Sequence, residues 1–168
     1  SLALTSAYTF SAWVYITTNC GSGSGNLIVS KAHYGSYTGG FDWGCISESG
    51  YTNRMYIINQ TSAGQDTYRS TASMSASQWH NVAVTFASST PKLYVDGIQV
   101  SGAFDSGSSM RDAGVNSNNF FIGNHNIQQT LAFPGYMDEV KVYNIAKTAD
   151  EILEEYNATS TYYTNYNI

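Results

Sequence analysis

The sequence predicts an all-β chain, folded as a two-sheet antiparallel sandwich and closed by one short C-terminal helix. Three observations carry that prediction. Segments in which apolar and polar residues alternate recur at spacings of roughly 8–15 residues, separated by Gly, Asn, Asp and Ser clusters. The stretch Trp79 to Gly97 contains the start of a three-strand meander: Val82, Val84 and Phe86 alternate with Asn81, Ala83 and Thr85, and Leu93 and Val95 resume after a polar break at Pro91. Only the stretch after Thr148 has apolar residues at helical spacing, behind a helix start signal.

Taken in order, Tyr8, Phe10, Ala12 and Val14 alternate with Thr9, Ser11 and Trp13 and give a first strand to about Ile16. The Gly-Ser-Gly-Ser-Gly of residues 21–25 reads as a loop rather than a linker, because strand patterning resumes at once with Leu27-Ile28-Val29. An aromatic, glycine-punctuated loop follows from His33 to Gly40. Phe41 to Ser47 and Arg54 to Asn59 then read as a hairpin around Gly50, and Tyr68 to Met74 as a further strand. Asp96-Gly97 supplies the two positive-φ positions of a type I′ turn, with Ile98 to Val100 returning on its far side. Residues 101–119 form a long polar connection without a sustained period. Phe120 to Asn124 is a short strand, 125–133 a loop, and Gly135 to Tyr143 the last strong strand. Thr148-Ala149-Asp150-Glu151 has the pattern of a capping box, in which hydroxyl and carboxylate satisfy each other's free amides. Ala149, Ile152, Leu153 and Tyr156 follow on one face, so the helix is expected over roughly 149–156. Residues 158–168, rich in Thr, Asn and Tyr, read as either a last strand or a tail.

At 168 residues with no internal repeat and no break in composition, the chain reads as one domain, residues 1–168, with enough length to bury a core. Charged residues are 11% of it, against about 25% in typical soluble domains. Ser, Thr, Asn, Gly and Tyr take their place, a composition shared by secreted carbohydrate-associated modules and by β-strands in general. The net charge of −5, with no Lys/Arg cluster, argues against nucleic acid and against anionic membrane surfaces. No apolar run approaches the roughly 20 residues of a membrane span. Ser1 opens into a strand-like segment with no signal peptide, as expected of an excised module or a mature fragment. Cys20 and Cys45 have no metal-ligand spacing; a disulfide and two separate thiols are both compatible with the sequence.

The ordered set of landmarks resembles the laminin-G-like members of the concanavalin A-like superfamily. The matching pieces are Phe10 to Val14, Ile28 to Lys31, Trp79 to Ala83, Leu93 to Gly97, Ile122 to Asn124, Gly135 to Asn144 and the helix start from Ala149 to Ile152. The resemblance implies a jelly-roll sandwich over roughly residues 2–157. Such domains usually open with a strand before the one holding Trp13; here either that strand is missing or Thr161 to Ile168 takes its place in the sheet. The family includes carbohydrate-binding modules, adhesin domains and protein-binding modules, so fold alone does not settle function.

Catalysis is not expected. Glycosidases of this fold carry Glu-x-Asp-x-x-Glu on one strand face, and no such motif is present; adjacent Asp138 and Glu139 would point to opposite faces. His33, His80 and His125 accompany no evident nucleophile, and the Trp13 and Trp79 rings are assigned to structure. For sugar binding, which needs an aromatic platform flanked by planar polar groups, the candidates are Tyr37, Asp42, Trp43, Arg54 and Tyr56, with a second group at His125 and Asn126. The competing reading places Trp43 in the core beside Phe41 and Cys45 and makes Tyr56 a cross-strand packing residue. By parity Asp138 shares the inward face of Val140 and Val142, where a carboxylate needs hydrogen bonds or a cation. The resemblance makes a structural calcium ion the candidate there; the alternative is a structural Asp accepting backbone or indole donors. Asn59-Gln60-Thr61 and Asn157-Ala158-Thr159 are sequons that matter only in a eukaryotic secretory source. The expected function is therefore a non-catalytic carbohydrate-binding module, secreted or at the cell surface, appended to other domains, with a polysaccharide or glycan as partner. A protein-interaction or adhesion domain without a sugar site, or a structural spacer, are the alternatives.

Overall fold

The structure is a computed structural model that describes residues 4, 6–23, 25–32, 39–48, 50–105, 107–113, 116–125 and 129–165. Its strands are β1 (Tyr8–Ile16), β2 (Asn26–Ser30), β3 (Gly40–Glu48), β4 (Tyr51–Thr61), β5 (Gly64–Ser70), β6 (Trp79–Phe86), β7 (Lys92–Val95), β8 (Ile98–Val100), β9 (Gly102–Phe104), β10 (Phe121–Ile122) and β11 (Gly135–Tyr143). A 3-10 turn at Gln129–Leu131 precedes β11, and helix α1 spans Ala149–Asn165. The strands form two antiparallel sheets, a five-stranded one in the order β11-β1-β6-β7-β8 and a six-stranded one in the order β10-β2-β3-β4-β5-β9. This is the predicted sandwich.

Alternation explains the core. Tyr8, Phe10, Ala12 and Val14 of β1 and Val82, Val84 and Phe86 of β6 meet Phe41, Trp43 and Cys45 of β3 and Met55 and Ile57 of β4 across the two inner faces. The rings interlock, with Phe10 centred 4.7 Å from Phe41 and 5.9 Å from Trp43. The Tyr8 hydroxyl, placed among them by the same alternation, donates to Asn59 Oδ1 at 2.8 Å, so the one polar atom it carries inward is satisfied. A disulfide joins Cys20, in the loop after β1, to Cys45 on β3. With a sequence separation of 25 between the bonded positions, the loop-entropy account assigns it about 3.5 kcal/mol of stabilisation.

The outer face of the five-stranded sheet is closed by α1, so β6 is buried on both sides rather than on one. Ala83 and Tyr94 pack against Ile152 of the helix. The helix start is the capping box read from the sequence: Thr148 N–H donates to Glu151 Oε2 at 2.7 Å and Glu151 N–H to Thr148 Oγ1 at 3.3 Å. Its end is a correction. The helix does not stop near Tyr156, and Thr161 to Asn165 is neither strand nor tail but its last turns. Tertiary contact holds that extension: Trp13 stacks on Tyr163 at 4.2 Å and on Tyr156 at 5.7 Å, and its Nε1–H donates to Thr159 Oγ1 at 3.0 Å. At the β7–β8 turn Asp96 and Gly97 both have positive φ, 52° and 77°, as a type I′ turn requires. A Cβ on Gly97 would lie 2.9 Å from Leu153 Cδ1, so the turn is also where the helix rests on the sheet.

Candidate functional site: the outer face of the six-stranded sheet

The remaining broad face is the outer side of β2 to β5. Register places Ser30 of β2 opposite Asp42 of β3, Asp42 opposite Ile58 of β4, and Tyr56 of β4 between Gly44 of β3 and Arg69 of β5. On β4 the residues Arg54, Tyr56, Ile58 and Gln60 alternate with the inward Met55 and Ile57. The face is thus a strip with an apolar centre, where Tyr56 packs with Leu27 and Ile46 and against Ile58 and Leu131. Gly25, at φ 68°, crosses directly above the Tyr56 ring; a Cβ there would sit 2.7 Å from it, so only glycine permits this approach.

Around that centre lie charged and polar groups. Arg54 Nη2 donates to Glu48 Oε1 at 2.7 Å, and its guanidinium lies 4.8 Å from the centre of the Tyr51 ring. Arg69 pairs with the same Glu48 oxygen and, through Nη2, with Asp105 Oδ2 at 2.8 Å. Asp42 is only 8% exposed, and burial pushes its carboxyl up to about 6, with nearby Ser30 opposing the shift only in part. The Tyr56 hydroxyl is pushed well above its ordinary range, by burial first and then by the neighbouring Asp42 charge. Five enclosed atoms on this face make no hydrogen bond of normal geometry among the described residues: Ser30 Oγ and Asp42 Oδ1, on residues that face each other across the β2–β3 pair, with Gln60 Oε1, Arg54 Nε and Arg69 Nε. Each such atom forfeits about 1–3 kcal/mol unless a small hydroxylic group, water or a ligand hydroxyl, reaches it.

The structure therefore brings Asp42, Arg54 and Tyr56 to one face, as expected, and removes Trp43 from it. Trp43 is 0% exposed and points inward, because β3 alternates Phe41, Trp43 and Cys45 into the core and Cys45 is bonded to Cys20. Tyr56 is on the face but 2% exposed, so it is the floor of the strip and not a free platform. His125 is buried beyond β10, at the edge of the sheet remote from Arg69 on β5. Tyr37 and Asn126 lie outside the described residues, as do His33 and Tyr34. Sequence reasoning missed Glu48, Gln60, Arg69 and Asp105; starting β5 at Tyr68 rather than Gly64 hid the outward alternation of Gln65, Thr67 and Arg69.

Asp138 requires a second correction. Glu139 has φ 48° and the β1–β11 register shifts between Ser11 and Trp13, a bulge that places both Met137 and Val140 inward. Parity counted through the bulge fails, and Asp138 is exposed on the helix side. Its carboxylate accepts the Tyr163 O–H at 2.7 Å and the Glu139 N–H at 2.7 Å. Asp138 is thus not an inward carboxylate in need of a cation, and among the described residues no group of three or more His, Cys, Asp or Glu side chains gathers as a metal would require. The residues at Asp138 do not fit calcium.

A laminin-G-type family model, described as the concanavalin A-like lectin/glucanases superfamily, matches residues 1–153. The chain belongs to that superfamily. No curated protein shows significant similarity to it. Among solved structures, a Bacteroides ovatus protein provisionally classed as carbohydrate binding is 20% identical, with a TM-score of 0.64 over 92% of this chain and 41% of its own. This superfamily member thus spans less than half the length of that protein. Domain 4 of an extracellular GH43 arabinanase from Geobacillus stearothermophilus, solved in complex with arabinotriose, is 16% identical (TM-score 0.64; 92% of this chain, 67% of that one). The CBM40 of a Ruminococcus gnavus sialidase, bound to α2,3-sialyllactose, is 17% identical (TM-score 0.61; 90% and 83%). At these identities the likeness is one of fold.

Proposed function

We propose that this superfamily member is a non-catalytic carbohydrate-binding module of a larger secreted or cell-surface protein, and that the outer face of its six-stranded sheet engages glycan hydroxyls. The observation that carries the reading is the set of five enclosed, partnerless polar atoms on one broad face beside an aromatic floor. Sugar hydroxyls, which both donate and accept, suit that mixed set of polar atoms. The arabinotriose and sialyllactose complexes of its structural neighbours support a glycan as the ligand class. The Cys20–Cys45 disulfide supports an oxidising, extracytoplasmic location.

The test is binding of the whole chain to immobilised polysaccharides, wild type against the double variant Arg54→Ala/Arg69→Ala. Retention by at least one polysaccharide, lost about tenfold or more in a variant with an unchanged far-UV spectrum, is expected. Wild-type retention that survives the double substitution would move the site elsewhere, and no retention on any polymer would favour the protein-interaction alternative.

A further inference from the structure

The charges on this face are matched internally. Arg54 and Arg69 contribute two positive charges; Glu48, which both guanidinium groups share, and Asp105, which pairs with Arg69, contribute two negative ones. Asp42 adds a third carboxyl on the same face. Formally the cluster is neutral before Asp42 is counted and negative once Asp42 ionises. Lys31, at the end of β2, does not present its charge to a ligand: it is buried, and the three donors of its ammonium are taken by Asn116 Oδ1 at 2.7 Å and by the carbonyls of Asn116 and Asn118 at 3.0 and 2.9 Å. A ligand carboxylate or sulfate would therefore meet no unmatched cation. To gain one it would have to displace Glu48 or Asp105 from an arginine and leave that carboxylate uncompensated beside it.

The partnerless atoms point the same way. Gln60 Oε1 and Asp42 Oδ1 call for a donor, Arg54 Nε and Arg69 Nε for an acceptor, and Ser30 Oγ takes either role. An anionic group accepts only and could serve three of the five, leaving Gln60 Oε1 and Asp42 Oδ1 without a donor. A sugar hydroxyl donates and accepts and could serve all of it.

From the shared Glu48 bridge and this mixed set we infer that the face selects uncharged glycans and rejects anionic ones, so that Glu48 is the residue that sets specificity by masking two arginines. The inference rests on the carbohydrate-binding reading above. It distinguishes this chain from a same-fold neighbour solved with a sialylated ligand, and it places the discrimination in a repulsive element rather than in an added contact.

The experiment measures retention of the whole chain on immobilised neutral polymers (arabinan, galactan, glucomannan, mixed-linkage glucan) and anionic ones (polygalacturonate, hyaluronan, polysialic acid). It is run at ~0.15 M salt so that the overall negative charge is screened. Wild type, Glu48→Gln and Asp105→Asn are compared, each checked for an intact far-UV spectrum. Retention by a neutral polymer is expected to exceed that by every anionic one by about tenfold or more. Glu48→Gln, which unmasks Arg54 and leaves Arg69 with Asp105 as its one carboxylate, should shift that ratio toward the anionic polymers by about fivefold or more, and Asp105→Asn in the same direction by less. Should Glu48→Gln fail to fold, the more exposed Asp105→Asn decides. Wild-type retention confined to anionic polymers overturns the inference while leaving a carbohydrate-binding module in place. Neutral retention with an unchanged ratio in both variants also overturns it. No retention on either class overturns the binding reading itself, and the inference with it.

Discussion

The two broad faces of this sandwich are built alike and finished differently. On the five-stranded sheet the chain covers its own surface with α1, and the polar groups there are paired. Trp13 donates to Thr159. Glu155 receives Ser11 and Tyr143 hydroxyls and the ammonium groups of Lys141 and Lys147, and Asp138 receives Tyr163. Among the described residues of that layer, Tyr94 Oη alone is enclosed without a partner. On the six-stranded sheet no α-helix is laid down among the described residues, Leu131 of the 3-10 turn packs at its centre, and five enclosed atoms want for partners. A face closed by the chain contributes to stability; a face left polar and incomplete is where a second molecule has something to supply.

That division can be broken by substitution. Trp13→Ala removes the ring that both Tyr156 and Tyr163 stack on and should cost about 3–5 kcal/mol, read as a fall in the urea midpoint. Polysaccharide retention per folded molecule should stay at the wild-type level; a loss there would show that the two faces are coupled. Smaller in size but opposite in sign on the two faces is the response to acid. Asp42 has its carboxyl raised from 3.8 to about 6, so the native state holds the extra proton and stability falls as pH rises through that window, then levels off. Asp42→Asn should abolish that slope and stabilise the chain at pH 7 by roughly 2–3 kcal/mol. For Glu155 burial favours the neutral acid, but hydrogen bonds from Lys147 and Lys141 outweigh it and hold the group below its ordinary 4.5. Its stabilisation is present above that value and lost as pH falls below it. Urea midpoints collected from pH 3.5 to 8 for Asp42→Asn and Glu155→Gln should therefore depart from wild type in opposite directions. A slope between pH 4 and 6 that survives Asp42→Asn would have to be assigned to another group. The smallest effect is expected from Thr148→Ala, about 1 kcal/mol, since it removes one half of the capping box and touches neither face's interior.

Features written in neighbouring residues were legible in the sequence. The alternation of β1 and β6, the Asp96-Gly97 turn and the Thr148–Glu151 box each depend on residues within a few positions of one another. Features set by a distant partner were not. The bulge at Glu139 is a property of the pairing with β1, and a count of alternate residues passed through it put Asp138 on the wrong side. The last turns of α1 have a Thr- and Tyr-rich composition with modest helix propensity, and they persist because Trp13 receives Tyr163. Glu48, Arg54, Arg69 and Asp105 lie on four elements or their ends, and only the register of β3, β4, β5 and β9 gathers them. For Trp43 the alternation with Phe41 and Cys45 was visible, and Phe10 on the facing sheet shows which side of that alternation is inside.

The bond between Cys20 and Cys45 ties a loop leaving one sheet to the middle of the other. Under tension applied at the two ends, force entering through β1 would pass across the sulfurs to β3 without travelling through β2. The 25-residue separation it spans, roughly 80 Å of extended chain, is withheld from any stretching while the bond is intact. The polymer that a pulling force meets is shorter than the polymer the ribosome made, and β2 with its flanking loops sits in the part that carries no load.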